Sequence, residues 1–130
     1  MFFDKDGSPP LSIAAVEDYP SIRIVRLRGS IDQSTVAEIE RFRKWVAKQK
    51  GFKHKHVLLD FRSVTHVDTS AIAEILQEVS ELKSAHFRLG AINLNEEVRG
   101  MFQVLKAEKL VVVFKNESEA VEDFKKGAKE

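Results

Sequence analysis

The chain of 130 residues contains no cysteine, and this absence excludes several kinds of chemistry at once. There can be no disulfide, no thiol nucleophile and no cysteine-ligated metal. Long apolar runs are also missing: the run at residues 110–114 is among the longest, far short of the roughly 18 residues that span a bilayer. Acidic residues near the amino terminus are unlike the basic start of a signal peptide. We therefore expect a cytoplasmic protein with no transmembrane segment.

Neither sign of charge is in excess. Lys and Arg number 21, Asp and Glu number 20, and the net charge is +1. Such a chain has no general attraction to nucleic acid or anionic membrane. Phosphate-binding Gly-rich loops are absent from the sequence, and His54 and His56 make two metal-type ligands without a third. The expectation is therefore no direct nucleic-acid contact, no cofactor, no metal site, and a solvated segment around the two histidines.

What the sequence does contain is a regular alternation of strand-like and helix-like segments. Strands are predicted at 11–16, 22–28, 56–61, 87–92 and 110–114, and helices at 32–50, 68–83, 95–106 and from 116 onward. The order β-β-α-β-α-β-α-β-α predicts an α/β fold with a mixed sheet of about four to five strands and about four helices. Its first two strands should pair antiparallel and the rest parallel. We expect a flexible tail at 1–10, one domain at 11–126 and a polar tail at 127–130.

Two features of this pattern leave alternatives open. In the second strand the apolar residues switch from even to odd positions: Ile22 and Ile24 would face one side of the sheet, and Val25 and Leu27 the other. This switch indicates either a bulge or cover on both faces of the sheet.

Basic residues also cluster, and they are expected on exposed surfaces or edges; they are Arg23, Arg26, Arg28, Lys48, Lys50, Lys53 and Lys55. The lysine cluster is interpreted as a solvated connection or as a site for an acidic partner, phospholipid or nucleic acid.

The most informative segment is the stretch from 57 to 72. A buried strand carries Asp60 near its end, and a loop then leads to Asp68-Thr69-Ser70 at the start of an apolar helix. A helix start has unpaired N–H groups and the positive end of the helix dipole. Side chains of Asp, Thr or Ser satisfy those donors as caps, and a phosphate would be held there by the same donors.

This segment resembles the phosphorylation loop of STAS domains, the family of bacterial anti-sigma factor antagonists. The similarity rests on Asp60 followed by Val67-Asp68-Thr69-Ser70-Ala71, and on a second motif, Leu27-Arg28-Gly29-Ser30-Ile31-Asp32, which is similar to the family's Gly-x-aliphatic-Asp turn. With the order of elements, it covers roughly residues 11–126.

The resemblance implies a non-enzymatic protein-interaction switch. In the antagonists, the hydroxyl residue after the loop Asp is phosphorylated by an anti-sigma factor that is a serine/threonine kinase, and phosphorylation breaks their complex. By position, the phosphorylation candidates are Thr69 and Ser70. The implied surface for the kinase or another signalling partner comprises Asp32, Asp68, Thr69, Ser70 and Ala71.

The loop also departs from the commoner antagonist pattern, which is Asp-Ser-Ser/Thr-Gly. Here the acceptor position holds Thr69, and Ala71 replaces the glycine. A threonine in that place is more similar to stressosome scaffold proteins and to the STAS subunit of bacterial lipid-transport ABC complexes. The alternative is therefore a STAS subunit of such an assembly, which in the second case would be associated with a membrane complex.

Overall fold

The computed structural model describes residues 13–48, 50–51, 53–81 and 87–128. Five strands are present in this part: β1 (Ile13–Asp18), β2 (Ile22–Ile31), β3 (His56–Val67), β4 (Leu89–Ile92) and β5 (Val111–Val113). The helices are α1 (Gln33–Ala47), α2 (Thr69–Ser80), α3 (Glu96–Val104) and α4 (Glu117–Ala128), with a 3₁₀ turn at Ala107–Lys109. The predicted order of strands and α-helices is confirmed. The predicted tail at 1–10 lies outside the described residues, and α4 includes 127 and 128.

The strands lie in the sheet in chain order, β1-β2-β3-β4-β5. As predicted, β1 pairs antiparallel with β2, and the other neighbours are parallel. Each parallel crossover moves one place in the same direction, and right-handed crossovers of this kind carry their helices to a single face. Helices α1, α2 and α3 therefore cover one face, and the hydrophobic core on the other face includes residues of α4.

Cover on these two faces explains why the apolar residues of β2 switch from even to odd positions. Val25 and Leu27 belong to the larger core under α1–α3, whereas Ile22 and Ile24 belong to a smaller core that also contains Phe124 of α4. The pairing of β2 is also irregular, because its register with β3 shifts between Arg26 and Arg28. Cover on both faces therefore explains the pattern of β2. At the register shift the extra residue lies on β3, where Asp60 to Ser63 spans three steps against two on β2.

Strand β3 is longer than predicted. The sequence indicated a strand ending at Phe61 and then a loop, but pairing with β2 continues to Val67. Pairing with β4 stops at Asp60, so the last part of β3 has a neighbour on one side only. Polar side chains are tolerated at such an edge, since solvent reaches them there. Because of these polar side chains, the sequence containing Arg62 and His66 resembles that of a loop.

The expectation of exposed arginines is wrong for Arg23 and Arg26. The Arg23 side chain is only 6% exposed, and that of Arg26 is 25% exposed. Arg26 Nη1 lies 2.8 Å from a carboxylate oxygen of Asp60 and 2.8 Å from one of Glu117, and its Nε contacts Glu17. Arg28 is half-buried. The network around Arg26 ties β1, β2, β3 and α4 together, so these cations hold elements together inside the fold.

Asp60 and His56 also prove to be structural residues. Burial opposes ionisation of Asp60, but hydrogen bonds from Asn93, the Arg62 amide and Arg26 outweigh it and lower its pKa. The expectation that His56 lies in a solvated segment is wrong: it is 1% exposed and stacks on Phe124 at 4.7 Å. Its Nδ1 accepts a 2.9 Å hydrogen bond from the backbone N–H of Arg88, and burial lowers its pKa.

Candidate functional site

The candidate site lies where β2 and β3 end side by side. Ile31 and Val67 are paired across the two strands, and the amide of Asp68 donates a 2.8 Å hydrogen bond to the carbonyl oxygen of Ile31. Asp32 follows the first of these paired residues and Asp68 follows the second. Helices α1 and α2 therefore begin next to each other, and the two predicted acids are brought to one edge of the sheet.

Asp32 caps α1. Its Oδ1 accepts hydrogen bonds from the Ser34 amide at 3.0 Å and the Ser34 hydroxyl at 2.6 Å, and the Thr35 hydroxyl oxygen accepts from the Asp32 amide in return. The Ser34 hydroxyl, followed by the backbone amides, lowers the pKa of Asp32. The strand reaches this cap through Gly29, whose φ of 72° lies in the left-handed region that glycine adopts without strain. The Gly-x-aliphatic-Asp motif thus ends β2 and caps the start of α1.

Asp68 caps α2 in the same way. Its Oδ1 accepts hydrogen bonds from the Ser70 amide at 3.0 Å and the Ser70 hydroxyl at 2.9 Å. The Ser70 hydroxyl and amide lower the pKa of Asp68, and the nearby His66 contributes in the same direction. Asp68 is therefore an anion at neutral pH, exposed at the positive end of the α2 dipole.

The two hydroxyl residues of the loop have different surroundings. The Ser70 hydroxyl donates to Asp68 and accepts a long hydrogen bond, 3.4 Å, from Gln33 Nε2 of α1. The Thr69 side chain is exposed, and its hydroxyl makes no hydrogen bond with any residue that the structure describes. Ala71 is fully buried, so its side chain belongs to the core beneath the loop. Within the loop, the free hydroxyl is that of Thr69.

Helix α3 borders the site from the other side. His66 Nδ1, at the end of β3, lies 3.8 Å from a carboxylate oxygen of Glu97 in the first turn of α3. Both side chains are exposed. Sequence reasoning did not identify Gln33 or Glu97 as part of this edge. The signal that could have found them is the carboxyl end of a parallel sheet, where the starts of successive helices meet.

The described residues contain no group of three or more His, Asp or Glu side chains placed to hold a metal ion. None of the helices in this part of the chain combines the length and apolar character that spanning a bilayer requires. What the site offers is an exposed hydroxyl, two carboxylates and two adjoining helix starts.

In a comparison with protein families, the model described as STAS domain matches residues 14–120. A comparison with curated protein sequences gave no significant match.

Several solved structures share the fold. The anti-sigma factor antagonist SpoIIAA in its unphosphorylated form has a TM-score of 0.66 and 21% identity, over 84% of this chain and 93% of that one. An anti-sigma factor antagonist from Mycobacterium paratuberculosis gives 0.69 and 18%, over 91% and 98%. The phosphorylated form of SpoIIAA from Bacillus gives 0.61 and 20%, over 84% and 96%. At such identities the likeness establishes the fold.

Proposed function

This chain belongs to the STAS domain family, and we propose that it is a cytoplasmic, non-enzymatic protein-interaction switch of the anti-sigma factor antagonist kind. Its partner is an anti-sigma factor with serine/threonine kinase activity or another signalling protein. The switch is phosphorylation of the Asp68-Thr69-Ser70 loop. The observation that carries the proposal is the exposed hydroxyl of Thr69 at the start of α2, which bonds to none of the described residues and lies beside the capping acid Asp68.

Thr69 is the preferred acceptor because its hydroxyl can enter a kinase active site without losing a bond to any described residue. Ser70 would first have to break its 2.9 Å hydrogen bond to Asp68 and its contact with Gln33. Each such bond contributes about 0.5–1.5 kcal/mol, more when one partner is charged. Ser70 therefore remains a secondary phosphorylation candidate, and its first role is to fix the cap that presents Thr69.

A phosphate on Thr69 would be compatible with the fold. It adds about 1.5–2 negative charges at neutral pH. The adjacent carboxylate of Asp68 repels these charges, but the positive dipole end of α2 attracts them. No core side chain has to move, because Thr69 points into solvent. The change is therefore confined to the charge and size of the exposed surface.

The same change acts strongly on a partner that packs closely over the loop. The proposed contact surface comprises Asp32, Asp68, Thr69 and Ser70. Ala71, which the sequence also suggested for this surface, is fully buried and lies beneath it. A phosphate at its centre would have to lose water and would sit near two carboxylates. An unpaired buried charge costs several kcal/mol, and about 2.7 kcal/mol corresponds to a hundredfold loss of affinity.

The test is phosphorylation and binding with the candidate kinase from the same organism. After incubation with kinase and ATP, mass spectrometry of the tryptic peptide 63–83 locates the phosphate, since that peptide carries Thr65, Thr69 and Ser70. We expect phosphate on Thr69. Thr69→Glu should lower affinity for the kinase about a hundredfold, with little change in thermal stability.

Thr65→Glu is the matched control, because Thr65 is also exposed, four residues earlier on β3, and receives the same charge. It should bind the kinase much as the original protein does. Equal binding by the unmodified protein, the phosphorylated protein and Thr69→Glu would contradict the proposal.

The second candidate is a STAS subunit of a larger assembly, such as a stressosome or a lipid-transport ABC complex. It is favoured by the Thr69 and Ala71 positions, where the more common antagonists have serine and glycine. Native purification distinguishes the two. Stable co-purification with a megadalton particle or a membrane ATPase, with residues 63–83 unmodified in all growth conditions, would support the subunit and remove the phosphorylation switch.

A further inference from the structure

A cavity whose lining includes four basic residues lies at the end of the sheet opposite to the Thr69 loop. It has a volume of about 210 Å³ and opens between the carboxyl end of α1 and the amino ends of β2 and β3. Its polar and aromatic lining consists of Asp18, Arg23, Trp45, Lys50, Lys53 and Lys55. With about 3.3 Å per strand residue, the length of β2 separates this cavity from Asp32 by about 30 Å. It is therefore distinct from the proposed switch.

The charge of this cavity is strongly unbalanced. Among the described residues that line it, four are cations and only Asp18 is an anion. The carboxyl end of α1 adds about half a negative charge. The surplus therefore remains above two positive charges, although the chain as a whole is nearly neutral at +1. Cations concentrated in this way repel one another, and an anion between them removes that repulsion.

Arg23 is the feature that points to a ligand rather than to a solvated surface. Its side chain is 6% exposed, and its Nη1 is sealed from solvent without a hydrogen-bond partner among the described residues. A buried donor left unpaired costs about 1–3 kcal/mol, and more when it is charged. Arginine residues carry donors in a fork that matches phosphate and carboxylate groups. An anion that enters the cavity could supply the missing acceptor after a small shift of the side chain.

Asp18 neutralises only part of this charge. One of its oxygens serves two cations, Arg23 Nε at 2.8 Å and Lys55 Nζ at 3.3 Å. Its own side chain is 50% exposed. Lys50 and Lys53 are exposed at the mouth of the cavity. Asp18 thus holds Arg23 and Lys55 in place, while the remaining charge faces the opening.

We propose that this cavity binds a small phosphate-bearing anion. At about 30 Å³ for each water molecule in the liquid, its volume equals roughly seven waters, enough for a phosphate or diphosphate group. Arg23 would provide the buried donor, Lys50 and Lys53 would contact the outer oxygens, and the Trp45 indole would border the ligand. The inference concerns a second site and does not depend on the switch at Thr69.

Trp45 is the chain's single tryptophan and lines this cavity, so tryptophan fluorescence reports on binding there. The experiment titrates the full-length protein with inorganic pyrophosphate and, separately, with glycerol 3-phosphate, at constant ionic strength set with chloride. We expect a saturable change in fluorescence and matching heat by calorimetry. Tighter binding of pyrophosphate identifies a free polyphosphate as the ligand class, and tighter binding of glycerol 3-phosphate identifies a phosphate ester.

Three variants test the residue assignments. Arg23→Gln, and the double variant Lys50→Gln with Lys53→Gln, should each lower affinity about tenfold or more, since each removes a charge-assisted contact. Asp18→Asn should raise affinity, because it removes the only carboxylate among the described lining residues. Lys109→Gln is the control, an exposed lysine next to β5 at the far edge of the sheet, and should change nothing.

Absence of saturable binding of either anion at millimolar concentration would overturn the proposal. The proposal would also be overturned if the double lysine variant and Asp18→Asn both bound the anions with unchanged affinity. If Arg23→Gln fails to fold, the double lysine variant and Asp18→Asn still decide, because Lys50, Lys53 and Asp18 are exposed side chains.

Discussion

The backbone amide of Asp68 donates a 2.8 Å hydrogen bond to the carbonyl oxygen of Ile31, the last residue of β2. This bond extends the β2–β3 pairing one residue past the end of β3. It holds the start of α2 against the start of α1, so that the loop acid is positioned by the sheet itself. Substitutions at the exposed loop positions should therefore alter recognition more than folding.

The two hydroxyl residues of the loop should differ in their effect on stability. Ser70→Ala removes bonds to Asp68 and Gln33 and should lower the free energy of unfolding by about 0.5–1 kcal/mol. Thr69→Ala removes no hydrogen bond among the described residues and should leave stability unchanged or slightly raised, since Ala favours helix. Urea unfolding of the two variants checks this. Equal destabilisation by both would show that Thr69 is also held within the protein.

His56 should make stability depend on pH. Burial lowers its pKa from the ordinary 6.5, so the folded state keeps the ring neutral while the unfolded chain takes up a proton below about pH 6.5. The free energy of unfolding should therefore decrease as pH falls from about 7 towards 5. The reason is that the fold accommodates the neutral ring of His56 better than the protonated ring. The pKa of Asp60 is lowered as well, but this changes the free energy of unfolding only at more acidic pH, below the ordinary pKa of 3.8.

Denaturant unfolding across this range measures the effect. His56→Phe keeps a ring against Phe124 but cannot titrate, so its stability should vary less over the same range, although it loses the acceptor for the Arg88 amide. His54→Gln, which changes an exposed histidine, should retain the slope. A slope that survives intact in His56→Phe would assign it to another group.

Two glycines should respond oppositely to alanine. A Cβ at Gly90 in β4 would lie 2.8 Å from Phe114 Cε2 and 2.9 Å from Phe124 Cζ. Overpacking of this kind costs about 1–3 kcal/mol. A Cβ at Gly100 in α3 meets nothing within 4 Å, so Gly100→Ala should stabilise by about 0.5–1 kcal/mol. Thermal unfolding of the pair measures both, and a stabilising Gly90→Ala would show that the two rings can move apart.

The partners of Arg26 should differ in their contribution to stability. The Asp60 side chain is 7% exposed and accepts hydrogen bonds from Arg26, Asn93 and the Arg62 amide, so Asp60→Ala should cost about 3 kcal/mol. Glu117 contacts the same guanidinium but is 43% exposed, and Glu117→Ala should cost no more than about 1 kcal/mol. Similar losses from both substitutions in chemical denaturation would contradict this ranking.

The sequence predicted the order of the main elements and the direction of strand pairing because both follow from local patterns. Hydrophobic periodicity identified α1 and α2, and the alternation of strands with helices implied parallel pairing. The capping role of Asp32 and Asp68 was equally local, since each cap bonds residues two or three positions further on. The assignment of Thr69 and Ser70 as phosphorylation sites remains a proposal.

Other features depended on contacts between distant parts of the chain. His56 follows a run of lysines and was expected in solvent, but Phe87 and Phe124 enclose its ring. The contact between Gln33 and Ser70 requires the register that pairs Ile31 with Val67. No local pattern contains that register. The cavity around Arg23 likewise forms only when the end of α1 packs beside the starts of β2 and β3.

The position of α4 has a consequence for how the protein is made. It follows all five strands of the sheet in the chain, and its Phe124 fills the smaller core, where it joins Ile22, Ile24, Leu58 and Ile92 of the sheet. While the ribosome is still synthesising α4, the sheet face that it covers remains open to water. Uncovered strands of this kind associate with other chains. The nascent protein should therefore be most prone to aggregation, and most dependent on chaperones, in the interval between the emergence of β5 and the docking of α4.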